Sequence, residues 1–429
     1  MYEIRGGTTG IGSEAVLYYL IVITLLLFIW IRNPKTTLNM FLVFLFSEGI
    51  FSFFGFANIY KAILFLISVL LFIIKSKNHF SKKKALPSLL FITTTVLLFI
   101  STFTNYNSNS YNFFQIFSQY SKFATPFLLL YYFISQRKKL LTKSTYNIIN
   151  ALIILQIILS VWKLIIIGTV EAVVGSIAYT GGHYATLFPI LAFVYYWIIK
   201  NNKFNRLDWI KVVLLLFIGI ASSKRALWFV FPIIIFLFYY AKNIKQLNTF
   251  LIIPFVLLIF YFGVRINPSL NPEHRIMGDF NIDYIFDYAN DYTFGTEEQE
   301  GYGRGGGLSA ILANSITEEL IWGHGFDKVY LTSYESFDDS KFGLMGKGSV
   351  SGITGLIISY GLVFPSIFIL YSISLLSFIS NFKYKIILLL FMLWELVLYK
   401  GTLTMGFSIS IFFMLIITLL YEKKYIYYK

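Results

Sequence analysis

The chain has 429 residues and a formal net charge of +14, with 57% hydrophobic and only 13% charged positions. Soluble domains carry roughly 25% charged residues, so this composition excludes an ordinary soluble protein. With no cysteine and only four histidines, the sequence also argues against disulfides, thiolate catalysis and a metal centre, and we expect neither metal nor cofactor.

Apolar runs recur along the whole chain. Because a helix needs about 20 residues to cross a bilayer, they predict an all-α polytopic membrane protein with about 12–13 transmembrane helices and one large external loop. The candidate spans are residues 15–31, 37–55, 59–74, 86–103, 114–134, 147–167, 184–199, 210–221, 226–241, 249–264, 352–379, 386–399 and 403–420. We therefore divide the chain into transmembrane helices in 1–264, an extracytoplasmic domain in 265–351 and C-terminal helices in 352–429.

The basic residues indicate the orientation. Alternate loops contain 22 of the 35 Lys and Arg residues, and by the positive-inside rule these loops are cytoplasmic, with the N-terminus outside and the C-terminus inside. Because the charges lie in short clusters between apolar runs, we expect no nucleic-acid partner. The first run is followed by Arg32-Asn33-Pro34-Lys35 without a small-residue cleavage site, so we interpret it as a retained span.

Two carboxylates, Glu48 and Glu395, lie inside apolar spans. Carboxylates in such positions are functional candidates and can mark a proton path, although two isolated ones are thin support for a proton-coupled pump.

Two predicted external turns contain candidate anion ligands. His183 ends a Gly-rich loop and begins a span, where it either contacts an anionic ligand or is a hydrogen-bonded interfacial residue. Ser222-Ser223-Lys224-Arg225 interrupts a nearly continuous apolar stretch. An arginine beside helix N-terminal amides suits a phosphate or pyrophosphate. The alternative is a tight turn whose cations reach lipid headgroups.

The external segment Arg265–Ser351 differs in character, with 14 acidic residues against six Lys and Arg. A loop of this length is usually functional. Asp279, Asp283, Asp287 and Asp291 recur every four residues beside aromatic residues, which predicts one acidic helix face. That face either binds sugar hydroxyls and rings or is simply solvated.

Two glycine-rich stretches follow in the same segment. Arg304 lies in a run that predicts a flexible hinge opening a short helix, and Trp322-Gly323-His324-Gly325-Phe326 predicts a turn. Glycine permits backbone conformations that bring a chain close to a ligand. A mobile surface loop with one satisfied histidine is the alternative.

In order and topology, these features resemble the bacterial O-antigen polymerases of the Wzy type, which share a fold with the O-antigen ligases. The resemblance spans nearly the whole chain in architecture. Its motifs are the Ser-x-Arg element in Ser223-Lys224-Arg225-Ala226, Arg304 with Leu308 and Ala310, the turn Trp322–Phe326, and Ser359-Tyr360-Gly361-Leu362, which is similar to the start of the following span.

The resemblance implies glycan transfer at the outer face of the bacterial cytoplasmic (inner) membrane. The substrates would be undecaprenyl-pyrophosphate-linked oligosaccharides, with lipid pyrophosphate as the leaving group. Membrane lipid and a chain-length regulator protein are the other implied partners. The implied catalytic residues are Arg225, Arg304 and His324, with Glu318, Glu319 or Asp327 as alternative bases. The implied substrate-binding residues are Lys224, Arg275, His183, Trp322 and Glu319.

One departure from the family pattern separates polymerase from ligase. The ligases carry a His-Asn pair shortly before the glycine that corresponds to Gly361, whereas Val350 and Ser351 occupy that region here. The missing histidine favours a polymerase and leaves the general base open. A transporter of lipid-linked oligosaccharide is the other alternative, but it should show broken spans in paired positions.

Overall fold

The computed structural model describes residues 33–75, 85–104, 113–168, 173–178, 182–200, 204–222, 224–241, 246–294, 307–315, 317–323, 351–398 and 407–421. Every regular element within these ranges is helical, which confirms the all-α prediction. The predicted span 15–31 lies outside the described residues.

The described residues form 18 α-helices. The first nine are α1 (Pro34–Leu45), α2 (Glu48–Phe53), α3 (Ala57–Leu70), α4 (Ala85–Thr104), α5 (Phe113–Ser135), α6 (Arg137–Leu140), α7 (Lys143–Ile167), α8 (Gly182–Ile199) and α9 (Arg206–Ala221). The others are α10 (Arg225–Ala241), α11 (Gln246–Ile266), α12 (Ile282–Phe294), α13 (Gly307–Asn314), α14 (Thr317–Trp322), α15 (Gly352–Tyr360), α16 (Val363–Leu375), α17 (Phe382–Leu398) and α18 (Phe407–Leu419). A π-helical turn, Leu71–Lys75, extends α3.

The centre of the bundle is α18, whose residues are all buried. It packs against α5 and α8, while α5 also contacts α3 and α8 also contacts α10. A helix that is apolar all round is buried in protein or in lipid, and here the sequence FSISIFFMLIITL lies in the protein core.

The outer surface of the bundle is also strongly apolar. Ile73, Phe103 and Ile165 are 69%, 63% and 78% exposed, respectively. Among the described residues, Ala85–Phe103 and Lys143–Ile166 are long and apolar enough to cross a bilayer, and seven shorter apolar helical stretches have 10–17 residues.

Two predicted spans are interrupted, which corrects the sequence prediction. The span 37–55 divides at Phe46-Ser47 into α1 and α2, because the Gly49 amide turns to donate to Ser176 O at 2.7 Å. The span 352–379 divides at Gly361 into α15 and α16. Gly361 has φ +74° and ψ −169°, a backbone conformation that is essentially restricted to glycine, and the helix ends there.

A buried segment without helix, Val173–Ala178, explains the first interruption. The Lys163 ammonium on α7 donates to the carbonyls of Val174, Gly175 and Ala178 at 2.6, 3.1 and 3.1 Å. The Gln156 side chain accepts from the Ile177 amide at 2.9 Å. Buried backbone groups must be hydrogen-bonded, and these two side chains replace the partners that a helix would supply.

Candidate functional site

Arg225 begins α10, as the sequence predicts, and follows a turn in which the Lys224 amide donates to Gly219 O at 2.9 Å. The Arg225 guanidinium carbon lies 4.9 Å from the centroid of the Tyr288 ring on α12. This cation–π contact brings a helix of the acidic segment onto the start of α10. Lys224 and Arg225 are both partly exposed beside it.

The acidic stripe is only partly helical. Because α12 begins at Ile282, Asp279 precedes the helix, which corrects the prediction of four aspartates on one helical face. Asp283, Asp287 and Asp291 are on the helix and exposed, whereas Tyr288 is partly buried against Arg225. The aspartates therefore form a solvent-facing surface next to the arginine.

The glycine-rich turn at Trp322 packs directly on the turn at Gly361. A Cβ atom on Gly361 would lie 2.0 Å from the Ile321 carbonyl oxygen, and one on Gly323 would lie 2.6 Å from the Gly361 nitrogen. Gly323 and Gly361 both have positive φ, +79° and +74° respectively. The two motifs thus meet backbone to backbone, in a contact that admits no side chain.

Hydrogen bonds fix the same segment at two further points. The Ser101 hydroxyl on α4 donates to the Trp322 carbonyl at 2.7 Å, and the Leu362 amide donates to the Leu320 carbonyl at 2.7 Å. Nearby, Ile311 of α13 packs against Ile357 and Ile358 of α15. Residues 307–323, towards the end of the acidic segment, therefore pack against α4 and α15.

The remaining predicted residues are distributed as follows. His183 is the second residue of α8, and its Nε2 atom is buried. Arg275 is exposed and forms an ion pair with Glu273, with Nε and Oε2 2.7 Å apart. Glu319 belongs to α14. Arg304 and His324 lie outside the described residues, so their predicted roles stay predictions.

A charged cluster in the core was only partly foreseen from the sequence. The Glu48 carboxylate is buried and accepts from the Tyr184 hydroxyl at 2.9 Å and from the Ser408 amide at 3.1 Å, as well as from the Ser408 hydroxyl. The ammonium groups of Lys61 and Lys122 interact electrostatically with this carboxylate.

Helix lengths place these features at one end of the bundle. At ~1.5 Å per residue, Arg225, Tyr184 and Ser408 lie about 16–24 Å along their helices from the ends that adjoin the basic loops. Ser101 likewise lies about 24 Å from the start of α4, which follows Lys82-Lys83-Lys84. We call this end, opposite the basic loops, the far end.

Glu395, the other carboxylate singled out in the sequence, is 1% exposed within α17. Among the described residues, no group of three or more His, Asp or Glu side chains is arranged to hold a metal ion. The described far end combines the cations Lys224 and Arg225 with the exposed aspartates of α12 and with aromatic side chains.

No protein-family model matches the chain, and no curated protein or solved structure is significantly similar to it. The functional argument therefore depends on the residues themselves.

Proposed function

We propose that the chain is a multi-pass protein of the bacterial cytoplasmic membrane that joins lipid-linked oligosaccharide repeat units into a surface polysaccharide, as Wzy-type O-antigen polymerases do. The observation that carries the proposal is the contact between Arg225 and Tyr288 at the far end. This contact places Arg225, a cation at a helix start that suits a phosphate group, beside α12. The acidic and aromatic side chains of α12 suit a glycan.

The apolar outer surface supports the membrane location. Side chains such as Ile73, Ile165 and Leu89 would face water in a soluble protein, whereas they would contact lipid tails in a bilayer. The helices of 10–17 residues fit a region of the bilayer that is locally thinner. The basic loops at one end then face the cytoplasm, and the far end faces the periplasm or the cell exterior.

The proposed reaction is a glycosyl transfer. An acceptor hydroxyl attacks the anomeric carbon of the donor glycan, the new glycosidic bond forms, and the bond from that carbon to the pyrophosphate oxygen breaks. The leaving lipid pyrophosphate takes the bonding electrons, and a base takes the hydroxyl proton. Arg225, with Lys224 and Arg304, would stabilise the negative charge that develops on the leaving group. His324 remains our first proposed base.

Positioning would supply much of the remaining rate enhancement. Both substrates are confined to one membrane surface, so a site that orients them makes their reaction effectively intramolecular. In this proposal His183, Trp322, Arg275 and Glu319 contact the substrates. Contacts with α4 and α15 hold the Trp322 backbone in place. This supports a glycan-binding role for Trp322 at a fixed position rather than on a mobile loop.

The test is reconstitution with the undecaprenyl-pyrophosphate-linked repeat unit of the host, without nucleotide or metal. We expect a ladder of lengthening lipid-linked glycans on a gel. Arg225→Gln should abolish it, whereas Arg206→Gln, an exposed arginine that begins α9 at the basic end, should not.

Two other outcomes would overturn the proposal. Transfer of glycan to an added lipid A-core acceptor, with no ladder, would identify a ligase. Movement of the intact lipid-linked unit between liposome leaflets, with no glycan product, would identify a transporter.

A further inference from the structure

The first part of the acidic segment exposes large apolar side chains, although it lies outside every predicted span. Ile276, Met277, Ile282 and Phe286 are between 45% and 71% exposed, and we call them the apolar rim. We propose that the apolar rim inserts into the outer leaflet of the bilayer and holds α12 at the level of the lipid headgroups. The inference rests on the proposed membrane location and adds a membrane contact for the extracytoplasmic segment.

The length of α11 places the rim near the outer boundary of the bilayer. The helix starts beside the basic loop that contains Lys242 and Lys245, and its 21 residues extend about 30 Å at ~1.5 Å per residue. This length matches the hydrocarbon core of a typical bilayer. The residues that directly follow Ile266 therefore lie at the depth where lipid tails give way to headgroups.

An exposed apolar stripe on α11 leads to the rim. Its members Leu257, Leu258, Tyr261 and Phe262 recur at helical spacing, so they share one face of the helix. In a bilayer this face contacts lipid tails. The Tyr261 ring lies 5.2 Å from the ring of Phe280, which comes two residues before α12. The start of α12 is therefore in contact with the stripe.

Arg265, one turn beyond Tyr261, holds the loop between α11 and α12 against the same stripe. Its Nη1 atom donates to the Tyr261 hydroxyl at 3.1 Å, its Nη2 atom to the Met277 carbonyl at 3.2 Å and its Nε atom to the Gly278 carbonyl at 2.9 Å. Arginine at the end of a membrane helix keeps its stem among apolar groups and its charge at the interface. Here it fixes the Met277 backbone beside the apolar stripe.

A buried side chain closes this loop from within. The Asn271 Nδ2 atom donates to the Arg275 carbonyl at 2.9 Å, and its Oδ1 atom accepts from the Arg275 amide at 3.3 Å. The Gly278 amide donates to the Arg265 carbonyl at 3.2 Å, which joins the two ends of the loop. The conformation that exposes the rim residues is therefore held by hydrogen bonds.

The backbone of the loop is strained at a rim residue. Met277 has φ +63° and His274 has φ +52°, in the left-handed region that glycine or asparagine adopts more readily. A large apolar side chain at an exposed and strained position has no advantage in water. Exposed apolar patches mark contacts with membranes or proteins. Lipid tails around Ile276 and Met277 account for both their residue type and their exposure.

The exposed surface of α12 divides into an apolar and an acidic flank. At 3.6 residues per turn, Asp283 and Asp287 lie about 100° around the helix axis from Ile282 and Phe286. Helices that lie in the plane of a membrane surface are divided in this way, with the apolar side in lipid and the charged side in water. The two flanks therefore favour a bilayer on the rim side of α12.

Insertion of the rim would set the depth of the proposed site. Tyr288 follows Phe286 by two residues on α12, and its ring lies 4.9 Å from the Arg225 guanidinium carbon. A helix anchored in the leaflet through Phe286 keeps Arg225 at the level of the headgroups. The pyrophosphate of a membrane-bound lipid lies at the same level.

The test uses nitroxide spin labels, because the chain has no native cysteine. Ile276→Cys and Phe286→Cys are labelled separately and reconstituted in liposomes. Power-saturation EPR then measures collisions with oxygen, which concentrates in lipid, and with a water-soluble nickel chelate. We expect an oxygen-to-nickel accessibility ratio severalfold higher than at Asp287→Cys, the neighbouring position on the acidic flank. Ile158→Cys, at an exposed position near the middle of α7, is the lipid reference.

The controls separate this inference from the proposed function. A water-like ratio at both rim positions, with a lipid-like ratio at Ile158, would overturn the inference and retain the membrane location. Low accessibility to both reagents at the rim would show that protein covers it, which would also overturn the inference. A water-like ratio at Ile158 would instead reject the membrane location and the proposed function with it. Because Ile276 and Phe286 are tested separately, failure of one variant to fold leaves the other to decide.

Discussion

Gly323 and Gly361 face each other so closely that a Cβ atom on Gly323 would lie 2.6 Å from the amide nitrogen of Gly361. The two residues are 38 positions apart in the sequence and belong to different motifs. Through this contact, the end of the acidic segment packs against the turn between α15 and α16. It explains why both positions are glycine: each needs positive φ, and neither has room for a side chain.

Gly361→Ala should therefore destabilise the protein. Overpacking costs about 1–3 kcal/mol, and holding an alanine in the backbone conformation of Gly361 adds about 1–3 kcal/mol. Thermal unfolding in detergent, followed by tryptophan fluorescence, should show a clearly lower apparent melting temperature.

Gly55→Ala is the matched control, because Gly55 has φ +79° and a Cβ atom placed on it would meet no other atom within 4 Å. It carries the conformational cost alone, so its loss of stability should be the smaller one. If Gly361→Ala and Gly55→Ala lowered the apparent melting temperature equally, the contact between the Gly323 and Gly361 backbones would not contribute to stability.

The contact between Arg225 and Tyr288 is open to a double-mutant cycle. Tyr288→Phe keeps the aromatic face and should retain the cation–π energy, whereas Tyr288→Leu should lose about 0.5–2 kcal/mol. That loss should vanish in the Arg225→Gln background, because the cation is absent there. An equal loss in both backgrounds would show that Tyr288 acts only by packing.

Much of the helical architecture follows from the sequence, because apolar runs of the right length can fold only as helices in an apolar environment. The start of α10 at Arg225 was predicted from the polar turn before it, and His183 was correctly expected at a helix start. The breaks at Phe46 and Gly361 were not predicted. They depend on contacts with Ser176 and Ile321, which are distant in sequence.

The candidate site was predictable only in part. Arg225 stands out because a cation inside an apolar stretch is costly. Glu48 stands out for the same reason, but its partners Lys61, Lys122, Tyr184 and Ser408 come from four other helices. Helix packing determines which polar residues contact one another, and these contacts cannot be predicted from the hydropathy of a single sequence.

The segment Val173–Ala178 should depend on Lys163. Lys163→Met removes three hydrogen bonds to buried carbonyls, and charged hydrogen bonds contribute about 1.5–3 kcal/mol each. We expect faster hydrogen exchange in this segment and a lower apparent melting temperature. Lys143→Met, at an exposed position on the same helix, should leave both unchanged. Unaltered exchange in the Lys163 variant would contradict this role.

Two buried tyrosines provide a matched test of the Glu48 environment. The Tyr184 hydroxyl donates to the Glu48 carboxylate at 2.9 Å. The Tyr132 hydroxyl is also buried but has no hydrogen-bond partner among the described residues. Tyr184→Phe takes a donor from a buried charge and should cost about 1.5–3 kcal/mol. Tyr132→Phe removes an unsatisfied hydroxyl, so it should be neutral or slightly stabilising.

The same substitution thus has opposite expected effects at two buried positions. Apparent melting temperatures of the two variants in one detergent would compare them directly. Combining Tyr184→Phe with Glu48→Gln should recover part of the loss, because a neutral amide needs its donor less than a carboxylate does. If Tyr184→Phe were as harmless as Tyr132→Phe, the Glu48 carboxylate would not depend on the Tyr184 hydroxyl for its stability.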